Sequence, residues 1–354
     1  MLEIILIIIA LSVLIIAHEA GHFFSAKFFR VRVDEFGIGF PPRVFGKKIG
    51  KTLYSINALP LGGFVKIFGE HGPSEDTPLD DKEGEVSFSS ISLSRRAVIL
   101  LGGIIMNIIV GWMLLSAVLM IGIPFHLGVN EIVENSPAAS AGISPGDFIL
   151  EISRGSDILY DPISPEDFKE FVAASGENEV NIVIQRGEEE ISVSLQGRVN
   201  PPEGEGSLGV SISMFGVPRE GFFSALVHGA RETADALGTI VKGFYHLLSN
   251  IFSSPEIAKD LSGPVGIVMI AKWAGDMGFV FFLQLMALIS LNLAIFNLIP
   301  FPALDGGRVV LLLIEWITRS PVSDRVQTAI NAGGLLLLLA LMVFVTIQDV
   351  GRFF

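Results

Sequence analysis

Ile15-Ile16-Ala17-His18-Glu19-Ala20-Gly21-His22-Phe23-Phe24 sets three ionisable side chains inside an otherwise apolar run. The run reaches back to Leu2, interrupted only by Glu3 and Ser12. Helical residues four apart share a face, about 6 Å apart along the axis, so His18 and His22 can ligate one ion. Glu19, beside the first of them, can then take a proton from a water held there, the chemistry expected of H-E-x-x-H. On a polar helix the same letters would often be two surface histidines. At membrane depth, ionisable groups cost several kcal/mol unless paired or ligated, so metal binding is expected. A cleaved signal peptide would carry a basic n-region, whereas Glu3 stands here with no base.

Composition supports a membrane setting. Half of the 354 residues are hydrophobic, 17% are charged, and mean hydropathy is +0.60. Soluble domains carry roughly 25% charged residues. With no cysteine, thiolate metal sites, disulfides and cysteine nucleophiles are excluded. A net charge of −13 argues against nucleic acid as a partner.

Further spans are expected at Ala97 to Ile123 and Phe279 to Ile299. A fourth has its core at Leu335 to Ile347 and starts near Ala329. Gly221 to Phe252 instead repeats apolar residues at three and four, an amphipathic helix on the protein or the membrane surface. Ten of the 24 Lys and Arg residues fall between Arg30 and Arg96. That bias predicts a cytoplasmic segment there, with both termini and the long segment from Pro124 to Gly275 outside. The chain divides into 1–123 with the first two spans, 124–200 as an inserted domain, 201–275 as linker and amphipathic region, and 276–354 with the last two spans.

In the inserted domain, Gly128 to Val133 and Phe148 to Ile152 read as strands. Ser164-Pro165-Glu166-Asp167 reads as a capped helix start. Asn181 to Gln185 and Ile191 to Leu195 alternate around Arg186-Gly187-Glu188 and read as a hairpin. Pro137-Ala-x-x-Ala-Gly-Ile-x-x-Gly-Asp147 resembles PDZ domains of bacterial membrane and periplasmic proteases. In such a domain a chain end would bind beside Ala141, Gly142 and Ile143.

A catalytic zinc site commonly has three protein ligands and an open position. His71, His126, His228 and His246 lie outside the spans. The better third ligand is Asp305, in Asn297-Leu-Ile-Pro300-Phe-Pro302-Ala-Leu-Asp305-Gly306-Gly307. The two prolines stop the third span, and Asp-Gly-Gly allows a sharp turn that aims the carboxylate.

Together these motifs resemble the site-2 protease family of intramembrane zinc metalloproteases, peptidase family M50. Phe36 to Phe40, Leu59 to Lys66 and Ser262-Gly-Pro-Val-Gly-Ile267 extend the likeness over most of the chain. The PDZ-like insert brings it nearest the bacterial regulator-of-sigma branch, with one such domain. Gly103-Ile-Ile-Met-Asn107 lacks the proline the family often has at the start of the second span.

The resemblance implies a polytopic α-helical membrane protein with about four spans, a membrane-reentrant β-loop and the inserted α/β domain. It implies Zn2+ on His18, His22 and Asp305, Glu19 as general base, and Asn297 holding the substrate or its oxyanion. Gly62, Gly63, Phe64 and Val65 would pair with an extended substrate. The implied partners are the lipid bilayer and single-span membrane proteins, anti-sigma factors or signal-peptide remnants, cut after trimming at a bacterial inner membrane. A metal-ion transporter using the same His and Asp residues is the competing expectation; it leaves Glu19 without a task.

Overall fold

The computed structural model describes residues 2–70, 86–176, 178–187, 189–202, 205–250, 263–320 and 322–353. Ile251, Phe252 and Ser262, which belong to motifs named above, lie outside them.

Among the described residues, four helices are long and apolar enough to cross a bilayer, with candidate spans Leu6–Phe28, Leu93–Ile121, Phe279–Leu298 and Arg325–Arg352. They belong to α1 (Leu2–Phe28), α2 (Leu93–Ile121), α7 (Phe279–Leu298) and α9 (Asp324–Phe353). The protein is a multi-pass membrane protein. The second span ends before Ile123 because Gly122 takes a positive φ of 74° and turns the chain into a strand. The last helix runs further at both ends than its apolar core suggests.

The chain forms two compact units. The first holds residues 1–115, 226–272 and 284–354. In it α1 and α2 meet almost backbone to backbone. A Cβ on Gly21 would lie 2.8 Å from Gly103 Cα, and one on Gly102 would lie 2.6 Å from the Gly21 carbonyl oxygen. Small residues allow such approaches between membrane helices, where dispersion replaces the hydrophobic drive. α7 joins this pair: the Ser290 hydroxyl donates to the Asn107 carbonyl at 2.8 Å, and Gly111 leaves room for Leu291.

Beside α1 lie β1 (Val33–Ile49) and β2 (Thr52–Ile67), both bent. Residues 35–38 of β1 pair with 63–66 and again with 53–56 of β2, and 43–49 pair with 52–57. The result is effectively a four-segment antiparallel sheet in the order 59–67, 33–40, 52–57, 43–49. Its inner segment runs along the first span, with Gly62 against Ile15 and Gly63 against Ile16. At the C-terminal end of α1, Ala26, Val33, Ile67, Phe88, Ile99 and Leu100 form a buried cluster.

The helix α5 (Phe222–Asn250) covers the expected amphipathic region. Two further helices were not evident from periodicity. The helix α6 (Pro264–Asp276) opens on the Gly263-Pro-Val-Gly266 signature, whose free N–H groups donate to buried Asp349 at 3.2 and 2.7 Å. The helix α8 (Asp305–Thr318) corrects the turn expected at Asp-Gly-Gly. The chain turns earlier, at 299–304, and Asp305 is already the first helical residue. Gly306 and Gly307 lie in this helix, and both are glycine because a Cβ on either would strike the backbone of Leu298 or Phe301.

The second unit holds residues 116–225 and 273–283. Its antiparallel sheet is ordered β7-β6-β4-β3-β8, with β5 on β4. The strands are β3 (Ile123–Ile132), β4 (Phe148–Arg154), β5 (Asp157–Tyr160), β6 (Glu179–Arg186), β7 (Glu189–Gln196) and β8 (Val210–Val217). Alternating apolar residues of these strands bury Leu127, Ile149, Ile152, Val180, Ile182 and Ile184 against α4 (Pro165–Ser175). Ser164 caps α4, its hydroxyl accepting from Asp167 N at 3.0 Å. β8 lies beyond the boundary at residue 200, because Pro201-Pro202-Glu-Gly looks like a linker yet leads back to the sheet edge.

At Ala141-Gly142-Ile143, where a groove is expected, the turn is closed by its own hydrogen bonds. The backbone N–H groups of all three bond back to Pro137, Ala139 and Ala138 in the α3 turn (Pro137–Ser140). The Gly142 carbonyl accepts from Arg186 at 2.7 Å, and Ile143 is buried. The Gly-Asp of the motif serves the turn itself: buried Asp147 accepts two 2.7 Å bonds from Arg186 and one from Ser144 N. The paired carboxylate raises the Arg186 guanidinium above its ordinary value. A peptide adding to this sheet needs an edge strand, β5, β7 or β8.

Candidate metal centre

The first span supplies two nitrogens on one face and α8 supplies an oxygen. His18 Nε2 lies 3.0 Å from Asp305 Oδ2, His22 Nε2 lies 3.1 Å from the same oxygen, and the two Nε2 atoms are 3.2 Å apart. Around a tetrahedral ion with bonds of about 2.0–2.1 Å, neighbouring ligand atoms are roughly 3.3 Å apart. The three atoms are therefore already at ligand spacing. Both histidines are buried and Asp305 nearly so.

Why the rings stand this way is visible in their other nitrogens. His22 Nδ1 lies 2.9 Å from the Ile99 carbonyl oxygen, an acceptor, so Nδ1 carries the proton and Nε2 keeps its lone pair. His18 Nδ1 lies 3.2 Å from the Asn107 amide nitrogen, while Asn107 Oδ1 is buried without a partner. Amide nitrogen and oxygen are interchangeable by a flip. Flipping Asn107 gives Oδ1 the His18 Nδ1 proton, satisfies the orphan oxygen and frees His18 Nε2. A partner on the second nitrogen is what metal-ligating histidines generally have.

Gly103 completes the fit. A Cβ there would lie 2.7 Å from His18 Cε1 and 2.8 Å from His18 Nε2, and closer still to His22 Nε2. The space that α2 leaves at its glycine is the space the rings need. Asp305 sits at the N-terminus of α8, where the helix dipole favours a carboxylate. The ionised form is the ligating form. The donor set, two imidazoles and a carboxylate, suits zinc.

Glu19 shares the helical turn of the two histidines. Gly63 of β2 approaches it, a Cβ there lying 3.9 Å from Glu19 Cγ. The segment Gly62-Gly63-Phe64-Val65 thus runs beside the site, with the Phe64 ring filling the space over Gly37. Asn297 is half-buried in the last turn of α7. Ala141, Gly142 and Ile143 belong to the other unit. Sequence reasoning gave no task to Asn107, Gly103 or the Ile99 carbonyl. Asn107 carried one usable signal, an amide side chain in the middle of an apolar span.

Asn107→Ala is expected to weaken zinc binding by about 10–100-fold, the usual cost of losing a partner of a ligating histidine. Competition with a chelator checks this, and unchanged affinity would remove Asn107 from the site.

The sequence matches the model of peptidase family M50 over residues 6–341. Relatives carried as candidate zinc metalloproteases occur in Clostridium perfringens, 34% identical with 98% of each chain covered, and in Clostridium acetobutylicum, 35% identical with 98% of this chain and 97% of the relative covered. The zinc metalloprotease RasP of Shouchella clausii is 30% identical, with 97% of each chain covered. A peptidase family model matched over nearly the whole of this chain, with H-E-x-x-H and a distant aspartate at ligand spacing, settles the class: this chain belongs to peptidase family M50 and is a zinc metalloprotease.

Proposed function

We propose that the enzyme hydrolyses peptide bonds in or near the transmembrane segment of single-span proteins, after their external parts have been trimmed. The observation carrying this reading is the three ligand atoms 3.0–3.2 Å apart within and beside a membrane span. In this reading His18, His22 and Asp305 hold zinc. Bound zinc supplies a Lewis acid that polarises the scissile carbonyl and acidifies a water. Glu19 takes the proton of the attacking water and passes it to the leaving amine. Asn297 offers an amide donor to the substrate.

An intact helix hides its peptide bonds in its own hydrogen-bond ladder, so the substrate must unwind. In lipid its freed groups need partners. The sheet of β1 and β2 enters the membrane beside α1, and its inner edge at Gly62 to Val65 pairs with the unwound stretch. The Arg30 to Arg96 segment is cytoplasmic. The second unit is extracytoplasmic and PDZ-like, and excludes bulky external domains, so trimmed stubs of anti-sigma or signal-peptide type reach the site. The metal-transit reading gains no support, since the matched family is one of peptidases.

Co-expression with a panel of tagged single-span proteins tests this. Fragments ending within or beside the span, formed by wild type and absent with Glu19→Gln, are expected. Cleavage confined to soluble substrates would refute the intramembrane reading.

A further inference from the structure

The sheet beside α1 has a second edge, which the proposed hydrolysis does not use. Segment 43–49 pairs, among the described residues, only with 52–57. Every residue from Pro41 to Gly50 is exposed, including Val44 at 71% and Phe45 and Ile49 at 59% each. The same segment carries Arg43, Lys47 and Lys48, with Lys51 just beyond. From 36 to 69 there is no acidic residue, in a chain whose net charge is −13.

The register gives these charges a level. Gly62 packs on Ile15, about 20 Å up the helix from Phe28 at 1.5 Å per residue. The opposite end of the sheet lies at the end of the span: Val33 clusters with Ala26, and the Thr52 hydroxyl donates to the Val33 carbonyl at 2.8 Å. Lys48 and Lys47 pair with Leu53 and Tyr54, next to Thr52. Both lysines therefore stand level with the C-terminal end of α1, where the headgroups begin.

Arg43 starts deeper, opposite Asn57, but its stem lies along the strand toward the same end. Its Cδ is 3.1 Å and its Nη1 3.7 Å from where a Gly46 Cβ would be. Lacking that Cβ, Gly46 leaves the guanidinium a path toward the lysines, as snorkelling cations take. A Lys and Arg excess that merely sets orientation requires charge somewhere in the loop. It does not require an acid-free stretch, apolar residues exposed between the cations, or an arginine laid over a glycine.

We propose that this outer edge docks on anionic phospholipid headgroups of the leaflet in which α1 ends. Val44, Phe45 and Ile49 enter the acyl boundary, and Arg43, Lys47 and Lys48 meet the phosphates. Clustered cations beside a membrane surface recognise anionic lipid in this way. The inference rests on the reading that the sheet enters the membrane.

The full chain carries no cysteine, so Val44→Cys gives one labelling site for an environment-sensitive fluorophore. In phosphatidylcholine nanodiscs, trace headgroup-spin-labelled phosphatidylglycerol is compared with equally labelled phosphatidylcholine as quencher. The expected phosphatidylglycerol preference is about fivefold, what one well-placed cation contributes near a charged surface. It should fall toward one in Arg43→Gln/Lys47→Gln/Lys48→Gln. Quenching by both lipids at a ratio of one in the parent overturns the proposal and leaves the membrane-entering sheet standing. A preference that survives the triple substitution also overturns it. No quenching by either lipid shows that the sheet lies outside the bilayer, so both readings fail. Protection from quenching in discs holding two chains, but not one, puts a second copy on the edge and overturns the proposal.

Discussion

Glu19→Gln is expected to lower peptide-bond hydrolysis by about 10²–10⁴-fold, the weight of a positioned general base, while zinc content stays near wild type. Glutamine keeps the size of the side chain and its place beside the β2 backbone at Gly63. It removes only the ability to accept a proton from water. The three close ligand atoms belong to His18, His22 and Asp305, so the metal should be retained. Single-turnover cleavage of a reconstituted single-span substrate, with zinc measured on the same sample, separates the two effects. Loss of zinc along with activity would make Glu19 part of the metal site; full activity would assign the proton transfer elsewhere.

Gly103→Ala should have the second large effect, in the opposite combination. Alanine is the better helix former, so α2 gains local stability from the change. The added methyl nevertheless falls 2.7–2.8 Å from the His18 ring and closer still to His22 Nε2. Neither ring can step aside: His22 is tied to the Ile99 carbonyl and His18 to Asn107. Parting the backbones would give up the close packing of α1 on α2 at Gly21 and Gly102. Zinc affinity should fall by at least the roughly 10–100-fold that loss of a supporting contact costs, and hydrolysis with it. Gly111→Ala is the control. It adds a methyl to the same helix, against the movable end of the Leu291 side chain, and should leave zinc unchanged. Equal zinc affinity in wild type and Gly103→Ala would mean the rings do not hold the metal as they stand here.

The spans were legible because bilayer thickness demands long apolar runs, and sequence records such runs directly. The His18, Glu19 and His22 trio was legible because ionisable groups are so costly at that depth. Asp305 was legible from its prolines, though the turn came before it and not at its glycines. What escaped was contact between elements distant in sequence. Gly21, Gly102 and Gly103 look like ordinary small residues until two helices cross at them. Asn107 acquires a task only when α2 brings it to a ring 89 residues away. The doubled pairing of β1 and β2 could not be read from alternation, since one run of strand formers serves two neighbours. In the second unit, Ala141-Gly142-Ile143 looked like a binding turn because the motif is distinctive. Its distinctiveness comes from packing, with Asp147 and Arg186 locking the turn from behind.

The most direct test of the account is zinc stoichiometry in the purified full chain, with His22→Ala and Asp305→Ala beside wild type. Three ligands converging from α1 and α8 predict about one zinc per wild-type chain and loss of most of it in each variant. Full zinc retention in both variants would contradict the site at its centre.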